Sequence, residues 1–162
     1  GPSGRGKSTI GRLLARHLRP TAGLVTVDGA QAPARGFNPV QLLSQSPIFA
    51  ANPRWTVGRI VGEAWTPDAD TAQALGVRPA WFDRFPHELS GGELQRITIL
   101  RALAPGLRYL VADEITSMLD PLAQAEIWAA LLGVVKQRAI GLLAISHDAH
   151  LLGRVADRVV AV

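Results

Sequence analysis

Apolar residues occur along the chain in two alternating patterns, one with helical spacing and one as short continuous runs. Helical spacing covers 8–18, 93–104, 121–137 and a short stretch near 148–155, and the apolar runs are 24–27, 40–43, 108–112, 140–145 and 158–162. Strands that alternate with helices are typical of an α/β fold with a mostly parallel sheet covered on both faces. We therefore predict a three-layer α/β core.

Two segments depart from this alternation. Residues 30–39, after the turn signal Asp28-Gly29, are rich in Pro, Gly and Ala and are predicted to form a loop. Residues 46–88 contain five of the prolines, which interrupt helices. Short helical pieces at 57–65 and 70–75 predict that this second segment is a small, loop-rich helical insert.

Composition limits the class of protein without identifying it. A chain of 162 residues suits one domain, and the absence of Cys excludes disulfides and thiolate metal sites. The formal charge of +4 comes from Arg spread along the chain, which favours a solvated surface over an anionic partner. There is no signal peptide pattern, no apolar run of spanning length and no initiator Met. We expect the chain to be part of a longer protein.

The chain begins with GPSGRGKST, which fits the phosphate-loop pattern G-x-x-x-x-G-K-[ST]. Its glycines let backbone N–H groups turn toward phosphate oxygens, and the following helix directs its positive end to the same anion. Lys7 is expected at the β- and γ-phosphates, and the Ser8 hydroxyl at Mg²⁺. The residues predicted to bind phosphate are Gly1, Pro2, Ser3, Gly4, Arg5, Gly6, Lys7, Ser8 and Thr9. The alternative is a glycine-rich turn before a helix.

An apolar strand at 109–112 ends in two carboxylates, Asp113 and Glu114. Asp113 is expected to hold Mg²⁺ through a water, and Glu114 to polarise the attacking water as a general base. A solvated strand end is the alternative, but the phosphate loop favours the catalytic interpretation.

The stretch LSGGELQR at 89–96 combines a helix start with two glycines. Ser90 fits an N-cap, and Glu93 completes a capping box. A capped helix does not require Gly91 and Gly92, which are poor helix formers. Bare glycine backbone at a helix N-terminus predicts a second anion site.

Two anion sites and an acid pair after a strand resemble the motif set of ABC-type ATPases, and the resemblance covers essentially the whole chain. LSGGELQR resembles the signature motif, GPSGRGKST the Walker A motif and YLVADE the Walker B motif. Gln45 matches the glutamine loop, and residues 146–148 match the switch-histidine segment. Residues 117–120 resemble the D-loop, with Met118 where Ala is usual.

The resemblance implies a P-loop NTPase core at 1–45 and 97–162, and a helical signature subdomain at 46–96. The N-terminal antiparallel subdomain of the family, with its adenine-stacking aromatic, is expected to be largely missing. The implied activity is ATP hydrolysis, with ATP and Mg²⁺ as cofactors. The implied metal ligands are Ser8, Gln45 and Asp113.

The resemblance also implies roles in a head-to-tail dimer. Each ATP would lie between one subunit's Walker A motif and the partner's signature residues, here Leu89, Ser90, Gly91, Gly92, Glu93 and Gln95. His147 would contact the γ-phosphate in cis, Gln45 would sense Mg²⁺ and the attacking water, and Asp120 would carry signals across the dimer. The implied catalytic residues are thus Glu114, His147 and Gln45. His17, His87 and His150 match no functional position.

Residues 52–58 (NPRWTVG) and 85–89 (FPHEL) resemble the branch that imports dipeptides, oligopeptides and nickel. This implies an ATPase subunit at the cytoplasmic face of the membrane, peripheral to integral-membrane permease subunits. Its other partners would be a second ATP-binding subunit, identical or different, and indirectly an extracytoplasmic solute-binding protein. No nucleic acid is expected. The alternatives are a soluble ABC-type ATPase that acts on nucleic acid or ribosomes, and a truncated, inactive fragment.

Overall fold

A computed structural model of the chain describes residues 4–31 and 36–161. The strands are β1 (Thr26–Val27), β2 (Ala30–Gln31), β3 (Val40–Leu43), β4 (Tyr109–Asp113) and β5 (Gly141–Ile145). The α-helices are α1 (Lys7–Leu14), α2 (Val57–Gly62), α3 (Ala69–Ala74), α4 (Gly91–Ala102), α5 (Pro121–Gln137) and α6 (Ala149–Val155). Short 3-10 helices occur at Pro47–Ala50, Pro79–Trp81 and Pro86–Glu88.

The central sheet is parallel, with the strand order β3-β4-β5. Its register pairs Leu43 with Ala112 and Asp113 with Ile145, so the carboxyl ends of the three strands lie side by side. Crevices at this edge are where ligands bind in open α/β sheets. The predicted mostly parallel sheet is confirmed.

Alternate residues of β4 face different helices, because side chains on a strand alternate between its two faces. Val111 packs in one cluster with Ala15, just beyond α1. Leu110 and Ala112 pack in the larger cluster with apolar residues of α4 and α5, such as Leu100 and Leu131. Helices therefore cover both faces of the sheet, as the pattern predicts.

Helix α1 runs antiparallel to the strands and directs its N-terminus toward their carboxyl ends. Near its end, Ala15 accepts a hydrogen bond from the Asn38 side chain at the start of β3. One turn earlier, Gly11 lies so close to the sheet that a Cβ there would be 3.1 Å from Val111 Cγ1 and 3.2 Å from Ile145 Cδ1. Residues 4–6, the described part of the loop before α1, thereby lie toward the carboxyl ends of the strands.

Several elements differ from their predicted extent or type. Helix α1 ends at Leu14 rather than 18, because Arg16 adopts the left-handed conformation, φ 61°, that terminates helices. Ala30–Gln31, predicted as loop, pairs with β1 around the Asp28-Gly29 turn, whose residues both have positive φ. Residues 158–161 form no strand: apolar character does not suffice without a pairing partner, and Val159 and Val160 are exposed.

The insert after β3 consists of short helices, in agreement with its proline-rich sequence. Val57, Ile60 and Val61 are buried and pack α2 against α4. The indole N–H of Trp65 donates to the carbonyl oxygen of Leu100 at 3.0 Å. The boundaries at 45/46 and 96/97 remain a prediction. In the described ranges, no helix has the length and apolar character needed to cross a membrane.

Candidate functional site

The described part of the phosphate loop has the backbone conformation that its glycines allow. Gly4 and Gly6 have φ values of 83° and 84°, a region that other residues rarely adopt. Gly6 is the N-cap of α1, and, apart from chain neighbours, no atom of residues 4–31 and 36–161 lies within 4 Å of the position that a Cβ would take at Gly4 or Gly6. The loop thus presents open backbone beside the positive end of a helix. Gly1, Pro2 and Ser3 lie outside the described residues.

The acid pair lies at the end of β4, as predicted. Asp113 is 7% exposed, and its Oδ1 atom has no hydrogen-bond partner among the described residues. Glu114 has φ 50°, while its backbone N–H still donates to the Ile145 carbonyl at 2.9 Å. Positive φ is uncommon for Glu and is often found at functional sites. This turn gives the two adjacent carboxylates different environments, one buried and one partly open.

His147 is held against Glu114. Its Nδ1 atom lies 2.9 Å from Oε1 of Glu114, with the histidine side chain 60% exposed and the glutamate side chain 20% exposed. The turn that carries His147 is fixed at the next residue, because Asp148 caps α6 and its own N–H donates to the Ser146 hydroxyl. The backbone N–H of Leu151, and then that of His150, hold the pKa of Asp148 below its usual value. The structure thus brings together two predicted catalytic residues from neighbouring strands.

Gln45, the third predicted catalytic residue, joins the same group through Ser117. The Gln45 Nε2 atom donates to Ser117 Oγ at 3.1 Å, and that hydroxyl donates to the Glu114 carbonyl oxygen at 3.0 Å. Sequence reasoning did not assign a role to Ser117. Because Ser117 is 72 positions from Gln45, no local pattern could predict this contact.

The segment between Glu114 and α5 is held in place by hydrogen bonds to side chains of α5. Thr116 is 2% exposed, and its Oγ1 accepts hydrogen bonds from Trp128 Nε1 and Gln124 Nε2, both at 3.0 Å.

Asp120 caps α5, because its side chain accepts hydrogen bonds from the backbone N–H groups of Leu122 and Ala123. Asp120 therefore has a structural role as an N-cap, and its signalling role stays a prediction. A cavity of about 110 Å³ lies beside this segment, lined by Thr116 and Gln124 among others.

The signature segment forms the predicted capping box. Ser90 Oγ accepts the Glu93 N–H at 3.3 Å, and Glu93 Oε2 accepts the Ser90 N–H at 2.8 Å. The two glycines form the first turn of α4, so this helix begins two residues before the predicted 93. A Cβ at Gly91 would lie 3.6 Å from Leu119 Cδ2, whereas a Cβ at Gly92 would meet no atom within 4 Å in the described part of the chain, the backbone of α4 itself excepted. The start of α4 therefore adjoins the D-loop segment, while Ser90 stays exposed.

Gln95 differs from the other predicted signature residues. It is 1% exposed, and neither of its side-chain polar atoms has a hydrogen-bond partner among the described residues. Leu94, Ile97 and Thr98 are also buried, so most of α4 beyond its first turn is surrounded by protein. Gln95 is thus enclosed by protein in this chain, and its predicted contact with ATP stays a prediction.

The residues near the sheet edge fit a magnesium site. Ser8, Gln45 and Asp113 offer a hydroxyl, an amide oxygen and a carboxylate, and Mg²⁺ prefers such oxygen ligands together with phosphate and water. The unpartnered, buried Oδ1 of Asp113 is the specific observation in favour. The described residues contain no cluster of three His, Cys, Asp or Glu side chains that could hold a metal on its own. A metal ion bound here would need phosphate oxygens as further ligands, beside those that the protein supplies.

Comparison with known proteins agrees with this geometry. Residues 1–117 match the family model described as ABC transporter. Over 98% of its length the chain is 37% identical to the putative oligopeptide transport ATP-binding protein YkfD of Bacillus subtilis, strain 168. Over 99% of its length it is 37% identical to the nickel import ATP-binding protein NikE of Rhodospirillum rubrum. The chain spans 54% and 65% of these two relatives, respectively.

The fold is also found among solved structures. The dimeric structure of MJ0796, a bacterial ABC transporter cassette, superimposes with a TM-score of 0.73. The match covers 93% of this chain and 74% of that one, at 22% sequence identity. At this identity the likeness establishes the fold, and the three-layer P-loop architecture inferred from sequence is thereby confirmed.

Proposed function

Since the chain belongs to the ABC transporter family, we propose that it binds ATP with Mg²⁺, hydrolyses it, and thereby powers import of a solute across a membrane. The contact between Glu114 and His147, at the edge of the sheet that carries the phosphate loop, is the observation that carries the proposal. This contact favours a site that hydrolyses the nucleotide over one that only binds it.

Phosphate binding is assigned to the loop and the start of α1. The open backbone at Gly4 and Gly6 gives N–H groups room to approach phosphate oxygens. Lys7 and Ser8 follow at the positive end of the helix, where negative charge is stabilised. Gly1, Pro2, Ser3, Arg5 and Thr9 complete the proposed phosphate-binding stretch.

Mg²⁺ is assigned to Ser8, Gln45 and Asp113. When bound, the ion would neutralise charge on the transferring phosphate. Asp113 suits this role because its buried Oδ1 atom has no hydrogen-bond partner among the described residues. Gln45 brings an uncharged oxygen from the neighbouring strand end.

Glu114 is assigned as the general base. Its carboxylate accepts a proton from a water whose oxygen forms the new bond to the γ-phosphorus, while the bond to the bridging oxygen breaks, giving ADP and phosphate. His147 holds Oε1 of Glu114, which limits the carboxylate to orientations that keep its other oxygen available. Such positioning is a large part of catalysis in phosphoryl transfer.

The partner is proposed to be a second ATP-binding subunit. Ser90 and Gly91 are exposed at the first turn of α4, with the Gly92 backbone open beside them. Together with Leu89 and Glu93 they form an anion-binding surface suited to a γ-phosphate held by another subunit. Asp120 lies close by, after Leu119, where it could respond to such a partner.

Permease subunits and an indirectly coupled extracytoplasmic solute-binding protein complete the proposed assembly, with this chain peripheral at the cytoplasmic face. The names of the two relatives, which refer to oligopeptide transport and nickel import, favour peptides or nickel as the solute class. None of the relatives reported above is named for nucleic acid.

Replacing the general base tests the proposal. In the full-length protein, Glu114→Gln should lower ATP hydrolysis by about 10²- to 10⁴-fold, the usual contribution of general acid–base catalysis. ATP binding, measured by calorimetry, should remain. Glu126→Gln is the matched control, because Glu126 is exposed and its ion pair among the described residues is with Arg96, away from the site. Unchanged turnover in Glu114→Gln, or no hydrolysis by the unmodified protein, would contradict the proposed function.

A further inference from the structure

Three groups from two strand ends form a short chain of hydrogen bonds. The Gln45 amide nitrogen lies 3.1 Å from Ser117 Oγ, which lies 3.0 Å from the Glu114 carbonyl oxygen. From this chain we infer that Ser117 is a positioning residue that fixes which end of the Gln45 amide faces the metal and phosphates. The inference rests on the proposed function, because it concerns the proposed metal ligand Gln45.

The direction of each hydrogen bond follows from the groups involved. A carbonyl oxygen can only accept, so the single proton of the Ser117 hydroxyl is directed to Glu114. The hydroxyl oxygen then has only lone pairs to offer, and it can accept only from the NH₂ end of the Gln45 amide. If the amide were flipped, its oxygen would face the Ser117 hydroxyl oxygen, and both atoms would be acceptors. The alternative is that the hydroxyl gives up its hydrogen bond to the Glu114 carbonyl oxygen. The network therefore holds the nitrogen at Ser117 and leaves Oε1 on the far side.

Ser117 is itself rigidly placed, which allows it to orient a flexible neighbour. Its backbone N–H donates to the Glu114 carbonyl at 3.1 Å. The preceding residue, Thr116, is buried and held by Trp128 and Gln124. Gln45, in contrast, is exposed two residues after β3 ends. An unrestrained glutamine side chain loses considerable rotamer freedom on binding a metal, and the bond to Ser117 removes part of that cost beforehand.

Metal binding should therefore weaken when the hydroxyl is removed. A net hydrogen bond of typical strength corresponds to roughly a 2- to 10-fold change in affinity. We expect Ser117→Ala to weaken the binding of Mn²⁺, a spectroscopic substitute for Mg²⁺, by this factor. Metal-free binding of the nucleotide should be unaffected, because Ser117 contacts Gln45 and Glu114 rather than the phosphate loop.

The experiment measures Mn²⁺ binding by electron paramagnetic resonance, using the full-length protein saturated with a non-hydrolysable ATP analogue. Ser117→Thr keeps the hydroxyl and should bind Mn²⁺ nearly as the unmodified protein does. Ser44→Ala is the matched control, since Ser44 adjoins Gln45 but its hydroxyl donates to the Ser46 carbonyl oxygen, at 3.5 Å, rather than to Gln45. Gln45→Ala is combined with Ser117→Ala to test whether the two residues act as a unit.

Each possible result either supports or contradicts the positioning role of Ser117. Weaker Mn²⁺ binding in Ser117→Ala, rescue in Ser117→Thr, and no further loss when Ser117→Ala is added to Gln45→Ala would support it. Mn²⁺ binding by Ser117→Ala equal to that of the unmodified protein would overturn it, as would full additivity in the double variant. Failure of the unmodified protein to bind the ATP analogue would instead overturn the proposed function. Analogue binding is therefore measured first, without metal.

Discussion

Nδ1 of His147 lies 2.9 Å from Oε1 of Glu114, and the two residues are 33 positions apart in the chain. The contact exists because β4 and β5 are parallel and in register, with Asp113 beside Ile145. Glu114 is one residue past the end of β4, and His147 is two residues past the end of β5. Their proximity is a direct consequence of sheet register, and it leads to the first prediction.

His147→Ala should lower hydrolysis without abolishing ATP binding. With the imidazole gone, Glu114 loses the contact that orients its carboxylate, and we expect a drop in kcat of about 10²-fold, at the lower end of the range for general acid–base catalysis. Steady-state turnover and calorimetric ATP binding measure the two effects separately. His150→Ala, at an exposed position on α6, is the control and should leave kcat unchanged. A comparable loss in both variants would show that the effect is not specific to the contact.

We expect Gly92→Ala to reduce dimer formation without lowering the stability of the fold. A Cβ at Gly92 would meet no atom of the described residues within 4 Å, apart from the helix's own backbone. Ala is also a better helix former than Gly by up to about 1 kcal/mol, so the fold should not be weakened. If the first turn of α4 binds a phosphate held by a partner, the methyl group would obstruct that approach.

Light scattering with a non-hydrolysable ATP analogue should therefore show reduced dimer formation in Gly92→Ala. The control is Gly62→Ala at the end of α2, where a Cβ would likewise have open space. Normal dimer formation by Gly92→Ala would argue against the proposed role of this glycine.

Gly11→Leu should destabilise the fold because α1 lies directly on the sheet. The new side chain would begin 3.1 Å from Val111 Cγ1 and 3.2 Å from Ile145 Cδ1. Overpacking of this kind costs about 1–3 kcal/mol of the free energy of unfolding. Urea unfolding measures the change, with Gly133→Leu on the open side of α5 as the matched control. Equal stability of the two variants would contradict the close packing of α1.

Stability should depend on the charge of Asp148. Because the N–H groups of Leu151 and His150 lower its pKa below 3.8, ionised Asp148 stabilises the folded state at pH values above 3.8. This contribution declines as the pH falls and is lost once the pH passes below the lowered folded pKa. Asp148→Asn keeps a capping oxygen but lacks the charge.

The unmodified protein should therefore be more stable than Asp148→Asn at neutral pH, and the difference should shrink in acid. Thermal unfolding from neutral pH to about pH 3 measures this difference. Asp68→Asn at the cap of α3 should behave alike, since the Thr71 N–H lowers the pKa of Asp68. A difference that stays constant with pH would show that charge is not responsible.

Local sequence signals predicted those features that depend on local chemistry. The capping box of Ser90 and Glu93 was predicted because both partners lie within four residues, and the structure confirms it. The strand at 158–162 was predicted on apolar character alone. It does not form over 158–161, because a strand depends on a neighbour that hydrogen-bonds to it, which no local pattern reports.

The direction of the Gln95 side chain is another feature that the local sequence does not determine. Its place in the signature motif predicts a ligand contact, which stays a prediction. In this chain its side chain is buried, as are those of Leu94 and Ile97 on the same helix. A helix that is surrounded on most sides shows no amphipathic pattern from which the outward face could be read. The direction of Gln95 was therefore decided by packing.

The sequence by itself determined which chemical groups stand at the ends of strands and helices: Lys7 and Ser8 after the glycines, Asp113 and Glu114 after β4, His147 after β5. Only the tertiary structure decided which of these groups touch. Parallel pairing in register aligns strand ends that are tens of residues apart, so that His147 meets Glu114 and Gln45 meets Ser117. Such contacts arise from the arrangement of the sheet, and the residues that make them carry no local signal of their partners.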